Sequence, residues 1–114
     1  MSQVCLISGG EVTVNVRNGG VGGRNQQFVL ACAEKISGED ITVLSAGTDG
    51  IDGNSPSAGA VADGGTLARA GGPEAVRAAL STFNAYPTFV TLGDAVVTGP
   101  TGNNLRDLRI LLGY

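Results

Sequence analysis

Ile41-Thr42-Val43-Leu44-Ser45-Ala46, followed at once by Gly47-Thr48-Asp49-Gly50-Ile51-Asp52-Gly53, is the stretch that decides the fold of this chain. The first six residues form an apolar, partly β-branched run of strand length and read as a buried strand. The next seven place two carboxylates among three glycines. A strand ending in such a loop offers backbone N–H groups and carboxylates at its carboxyl end, where open α/β sheets bind their ligands. One segment therefore points to a fold class and to the place where chemistry is to be sought.

Upstream, residues 4–8 and 11–16 are short runs separated by Gly9-Gly10, the second alternating Val12, Val14 and Val16 with polar residues. This pattern reads as a β-hairpin. A glycine-rich loop over 18–23 leads into residues 25–36, where Phe28, Val29, Cys32, Ala33 and Ile36 recur at helical spacing. Asn25 is a candidate N-cap there, and Gly38 a stop. Downstream, the small residues of 58–62 and 66–70 read as weak helices ended by Gly71-Gly72. Pro73 opens a short helix over 74–81. Residues 86–92 are ambiguous: Pro87 can start a helix, while Thr and Val favour strand. Residues 95–98 and 108–112 read as two last strands. The alternation favours an α/β fold, expected as a three-layer α/β/α domain with a mixed sheet and an N-terminal β-hairpin, forming a single domain over 1–114.

Composition narrows the function. The chain has 114 residues, enough for one core that buries about 60 to 70% of the unfolded surface. With 42% hydrophobic but only 4% aromatic residues, that core is built from small aliphatic side chains, and 19 glycines imply several demanding loops. A net charge of −3 argues against nucleic acid, which requires clustered positive charge. No apolar run approaches the ~20 residues of a membrane span, and Met1-Ser2-Gln3 lacks the basic region of a secretory signal, so a cytoplasmic protein is expected. Cys5 and Cys32 fall in an expected strand and helix, where free cysteine acts as a small buried hydrophobe rather than as half of a disulfide framework. With no histidine in the chain, a Ser-His-Asp triad and a histidine metal site are both excluded. Neither the P-loop pattern nor the dinucleotide fingerprint is present.

Three polar, glycine-rich loops remain: Gly22-Gly23-Arg24-Asn25-Gln26, the loop 47–53, and Thr98-Gly99-Pro100-Thr101-Gly102-Asn103-Asn104. Arg24 at a helix amino terminus joins a bidentate fork to the positive end of a dipole, which suits carboxylate or phosphoryl oxygens. Thr101, Gly102 and Asn103 can form an anion-holding nest. Plainer readings stay open. Asp49 and Asp52 can serve only as Asx-turns, Arg24 can pair with a surface carboxylate such as Glu34, Asn103-Asn104 can be an ordinary left-handed turn, and Glu11 can be a solvated strand residue. Ile51 occupies a position where a calcium loop needs an oxygen ligand. Residue chemistry alone reaches an anion-binding α/β domain.

The ordered set Gly9-Gly10-Glu11, Gly22-Gly23-Arg24-Asn25-Gln26, Gly47-Thr48-Asp49-Gly50-Ile51-Asp52-Gly53, Leu92-Gly93-Asp94 and Thr98-Gly99-Pro100-Thr101-Gly102 with Asp107-Leu108-Arg109 resembles the MOFRL domain. That domain is the carboxyl-terminal part of the glycerate 2-kinase family, whose members are sometimes labelled hydroxypyruvate reductases. The resemblance runs from about Val4 to the end. It implies an ATP- and Mg2+-dependent kinase that phosphorylates glycerate in a cleft between an amino-terminal domain and a domain like this one. It further implies that Arg24 contacts the glycerate carboxylate or the transferring phosphoryl group and that Asp49 orients substrate or a magnesium ion. Glu11, Asn25, Gln26, Asp52, Thr101, Gly102 and Asn103 then become candidate substrate-binding residues. Arginine and metal-bound carboxylates suit phosphoryl transfer, which depends on positioning and on neutralising oxygens. The amino-terminal domain, where a catalytic lysine is expected, is not in this chain, and Lys35 on its expected helix is a poor substitute. Val12, Ser57 and Asn103 depart from the commonest pattern, where threonine, an acidic residue and threonine are frequent. They bear on substrate detail.

The resemblance implies half of a kinase site, inactive alone. A stand-alone anion-binding or interaction module, and a subunit completed by a separate amino-terminal polypeptide, are the competing readings. An exposed apolar patch near the loops would mark a domain built to dock.

Overall fold

The strand quoted above is the centre strand of a five-stranded sheet in a computed structural model that describes residues 3–10, 20–103 and 106–114. In chain order the elements are β1 (Val4–Gly10), α1 (Arg24–Lys35), β2 (Ile41–Gly47), β3 (Gly59–Asp63), α2 (Thr66–Arg69), α3 (Pro73–Ser81), α4 (Ala85–Leu92), β4 (Ala95–Val96) and β5 (Asp107–Gly113). The expected second hairpin strand, 11–16, lies outside the described residues, as do Glu11 and Asn104.

The α/β expectation holds, with two corrections. The sheet order is β1-β5-β2-β3-β4, and every pairing is antiparallel, so the sheet is not mixed. β3 folds straight back on β2 through the loop 48–58, and β5 returns from the far end to slot between β1 and β2. β3 and β4 are neighbours linked through α2, α3 and α4, and they too pair antiparallel, so that helical connection is not the crossover that joins parallel strands. The described helices also gather on one face instead of two. Val29, Leu30, Ala33 and Ile36 of α1 share one core with Val76 of α3, Phe89 of α4 and the sheet residues Val43, Ala60 and Ala62.

Residues 58–62 were expected to be helical and instead supply β3. Ala60 pairs with Ser45, and Ala62 with Val43. Ala60 is fully buried and Ala62 nearly so. Pairing with a strand already in place outweighs the weak helix preference of alanine, and the small side chains let α1 lie close on the sheet. The ambiguous segment resolves as helix α4, with Pro87 inside its first turn and Gly93 closing it in a left-handed conformation. β4 is only two residues long, shorter than the expected 95–98.

Residues directly opposite across an antiparallel sheet share a face. Ile41, Val43, Ser45 and Gly47 of β2 look toward the helices, level with Leu111, Arg109 and Asp107 of β5. Thr42, Leu44 and Ala46 look the other way, level with Leu112, Ile110 and Leu108. No described helix is long and apolar enough to cross a membrane.

Candidate functional site

The loop after β2, the entry to α1 and the loop before β5 meet at one end of the sheet. Their closeness is set by glycine. A Cβ on Gly50 would stand 2.1 Å from the carbonyl oxygen of Gly99, and one on Gly53 would stand 2.1 Å from that of Gly22. Both also hold positive φ, which side-chain-bearing residues rarely adopt. Cross-bonds tie the loops further. Thr101 donates its N–H to the Asp49 carbonyl at 3.1 Å, and Thr48 donates its hydroxyl to the Arg106 carbonyl at 3.0 Å. The three loops singled out by composition therefore form one cluster, and the individual side chains within it divide into two groups.

One group is internal. Asp52 is 1% exposed, and its carboxylate accepts four hydrogen bonds: from N–H and Nδ2 of Asn25 at 3.0 and 3.1 Å, and from N–H and Nε2 of Gln26, both at 2.9 Å. Gln26 also donates to the Ser55 hydroxyl, and Ser45 in β2 donates to Asn25 Oδ1 at 2.7 Å. α1 begins at Arg24 with Gly23 as its N-cap, so Asn25 sits inside the first turn and is not the cap. Gly23 has no side chain to cap with, and Asp52 from the neighbouring loop supplies the carboxylate instead. The anion expected at the positive end of this helix is thus part of the protein. Asn25, Gln26 and Asp52, three of the expected substrate-binding residues, are turned inward in this network.

The other group lies at the mouth. Arg24 is forked onto Asp107, donating from Nε to Oδ2 at 2.6 Å and from Nη2 to Oδ1 at 3.0 Å. The Asp107 side chain is 1% exposed, whereas that of Arg24 remains 38% exposed. Burial pushes the Asp107 carboxyl up, but hydrogen bonds from Arg24 and Asn25 and the charges of Arg24 and Arg109 outweigh it. They hold the group below its ordinary value. Arg109, two residues along β5, sits with its guanidinium 5.4 Å from the centre of the Phe28 ring. Glu34, the expected surface partner of Arg24, is paired with Arg77 instead.

Asp49 is exposed and makes the Asx-turn that its plainer reading anticipates, its Oδ1 accepting Ile51 N–H at 3.1 Å. Around Thr101 the expected nest is not open. The Thr101 N–H is bound to Asp49, and the Asn103 N–H donates to the Thr101 hydroxyl at 3.2 Å. Gly102 takes the left-handed conformation between them. Thr101, Gly102 and Asn103 stay exposed beside Asp49.

Among the described residues no three acidic or cysteine side chains converge as metal ligands. Asp49 alone, with one oxygen engaged in its own turn, does not make a magnesium site. Two shallow cavities of about 270 and 350 Å3 lie elsewhere, one beside Pro87 and Thr91 and the other at the opposite end of the sheet beside Glu39, Asp63 and Tyr114. Lys35, at the last turn of α1, is remote from the loops that meet at its first turn.

Sequence reasoning assigned no site role to Asp107. It stands 83 residues from Arg24, and only its place in the string Asp107-Leu108-Arg109 marked it. Cys5 is exposed rather than buried, because β1 is an edge strand that no described helix covers, and both cysteines are free.

A family model described as the MOFRL family matches residues 4–107. The D-glycerate 2-kinase of Thermotoga maritima is 41% identical over 108 residues, which are 92% of this chain and 26% of that protein. The glycerate 2-kinase of Picrophilus torridus is 39% identical, over 93% of this chain and 25% of that protein. The crystal structure of glycerate kinase from Thermotoga maritima superposes with a TM-score of 0.90 at 38% identity, covering 96% of this chain and 27% of that one. A structure from Pyrococcus horikoshii gives 0.87 at 35% identity. The chain spans about a quarter of the length of the curated relatives it matches.

Proposed function

Because the chain belongs to the MOFRL family, we propose that residues 1–114 are the C-terminal domain of an ATP-dependent glycerate kinase. In this reading the domain contributes glycerate- or phosphoryl-binding loops to an active site shared with an amino-terminal domain, works in the cytoplasm and is inactive by itself. The observation that carries the reading is Arg24, a partly exposed cation whose plane is fixed by a buried carboxylate where the three loops meet.

Asp107 grips the guanidinium through Nε and Nη2, so Arg24 does not have to be ordered when an anion arrives. A fixed cation in that place can hold the carboxylate of glycerate or stabilise the charge on a phosphoryl group in transfer. Asp49, tied to Thr101 through backbone, offers an exposed carboxylate to orient a substrate hydroxyl, while the Thr101 hydroxyl donates to the Thr48 carbonyl and accepts the Asn103 N–H, so that it holds the loop. Asn25, Gln26 and Asp52 act one layer below, holding α1 against the loop so that Arg24 is presented at a constant height. Half of a cleft cannot align two substrates, and turnover therefore belongs to the longer protein.

The test is ligand-induced stabilisation of the purified chain. Glycerate or phosphate is expected to raise the melting temperature slightly, and Arg24→Ala to abolish the rise. An unchanged shift in the variant would remove Arg24 as the anion contact. Of the alternative, a stand-alone anion-binding or protein-interaction module without catalysis, the interaction form draws on the internal role of Asp52 and Asp107, which already bind the helix terminus and the arginine. It predicts no ligand response in either protein.

A further inference from the structure

β5 carries its polarity in the opposite sense to a sheet with one face in water. Its charged residues Asp107 and Arg109 look toward the helices, while Leu108, Ile110 and Leu112 look away from them. Antiparallel sheets that leave one face to solvent alternate apolar-in with polar-out. Here the outward rows read Ile7, Ile110, Leu44 and Val61 straight across four strands, with Leu112 and Leu108 on either side. Ile7 is 67% exposed, Leu108 and Leu112 are about two-fifths exposed and Ile110, Leu44 and Val61 keep partial exposure, while the described helices pack on the other face, so none of the described elements covers the row.

From this face, together with the quarter-length match to the relatives, we infer that the bare side of the sheet is the surface on which the remaining three quarters of a glycerate 2-kinase chain docks. The inference rests on the reading that this chain is one domain of such an enzyme. The occupant is polypeptide presenting a complementary apolar surface. The outward rows hold few charges that could select a polar partner, and the matched relatives each carry about three times this length of further chain within the same molecule. The placement also connects with the site. The row Gly9, Leu108, Ala46, Gly59 and Val96 is the end of the bare face that borders the loop cluster. A domain seated on this face would overhang Arg24 and Asp49, the position from which it could close the cleft.

Cys5 provides the probe. It pairs with Leu112, lies on the bare face and is exposed, whereas burial pushes the Cys32 thiol up and slows its reaction. Site-resolved alkylation is compared between the isolated chain and a chimera in which this chain replaces the matching quarter of the Thermotoga maritima D-glycerate 2-kinase. Fast labelling of Cys5 in the isolated chain and at least tenfold slower labelling in the chimera is the expected result. Ile110→Asp should leave the isolated chain folded by circular dichroism and restore fast labelling in the chimera. Equal labelling in both proteins would overturn the inference. So would a chimera that does not fold while the isolated chain does, or protection of Cys5 in a dimer of the isolated chain seen by sedimentation, which would make a second copy the occupant. Alkylation does not depend on turnover: a protected but inactive chimera sinks the kinase reading and keeps the docking face, and an active chimera with unprotected Cys5 does the reverse.

Discussion

Two aspartates, each within a residue or two of a glycine, carry different loads. Asp52 accepts four N–H donors in a buried setting, so Asp52→Ala strands the amino terminus of α1 and two amide side chains. Loss of about 3 kcal/mol or more is expected in denaturant unfolding, more than a solvated Asx-turn could give. Asp49→Ala, which removes only the bond to Ile51, should cost within about 1 kcal/mol. Asp107 adds a dependence on pH. Its folded carboxyl titrates below the ordinary 3.8, so its stabilisation is fully present above that value and is lost as pH falls through the lower, folded one. The melting temperature of Asp107→Asn should therefore lie below that of the parent at neutral pH, and the gap should close as pH falls below about 4. A gap that stays constant across the range would contradict the ion pair.

This division was only partly legible. Arg24 and the glycine loops stand out in sequence because an arginine directly after paired glycines marks a helix entry and clustered glycines mark demanding turns. The inward turn of Asn25, Gln26 and Asp52 is not legible, since the same amide and carboxylate groups suit a substrate or a remote cap, and only the fold chooses between them. The Arg24–Asp107 fork depends on β5 returning to the interior of the sheet between β1 and β2, which no local pattern announces.

Among the elements, α1 is the keystone, because its apolar stripe packs on β2 and β3 while its first turn holds the site. Leu30 is fully buried in that stripe, and Leu30→Ala is expected to cost about 2 to 5 kcal/mol in unfolding free energy. A loss below about 1 kcal/mol would mean that α1 is not the centre of the core. The helical spacing of 25–36 and the β-branched run of 41–46 were readable because each is long and periodic. Residues 58–62 were not, since alanine and glycine carry little periodic signal and their strand state comes from pairing with β2. The antiparallel order was hidden for a related reason: strands reveal their partners in sequence only when a tight turn joins them.

At the scale of the whole molecule, the described residues combine a helix-covered sheet face, an apolar face that no described element covers and a loop cluster at one edge, in a chain about a quarter of the length of its matched relatives. Ile110 lies on the outward face of β5, and Ile110→Asp is expected to raise the solubility of the isolated chain without lowering its melting temperature by more than a few degrees. The most direct test of the central claim is glycerate-dependent ATP consumption, measured for the isolated chain and for the chimera with the rest of the Thermotoga maritima enzyme. No turnover by the isolated chain, turnover at ordinary kinase rates by the chimera, and a loss of at least a hundredfold in the chimera on Arg24→Ala are predicted. Steady turnover by the isolated chain, or an active chimera indifferent to Arg24, would contradict it.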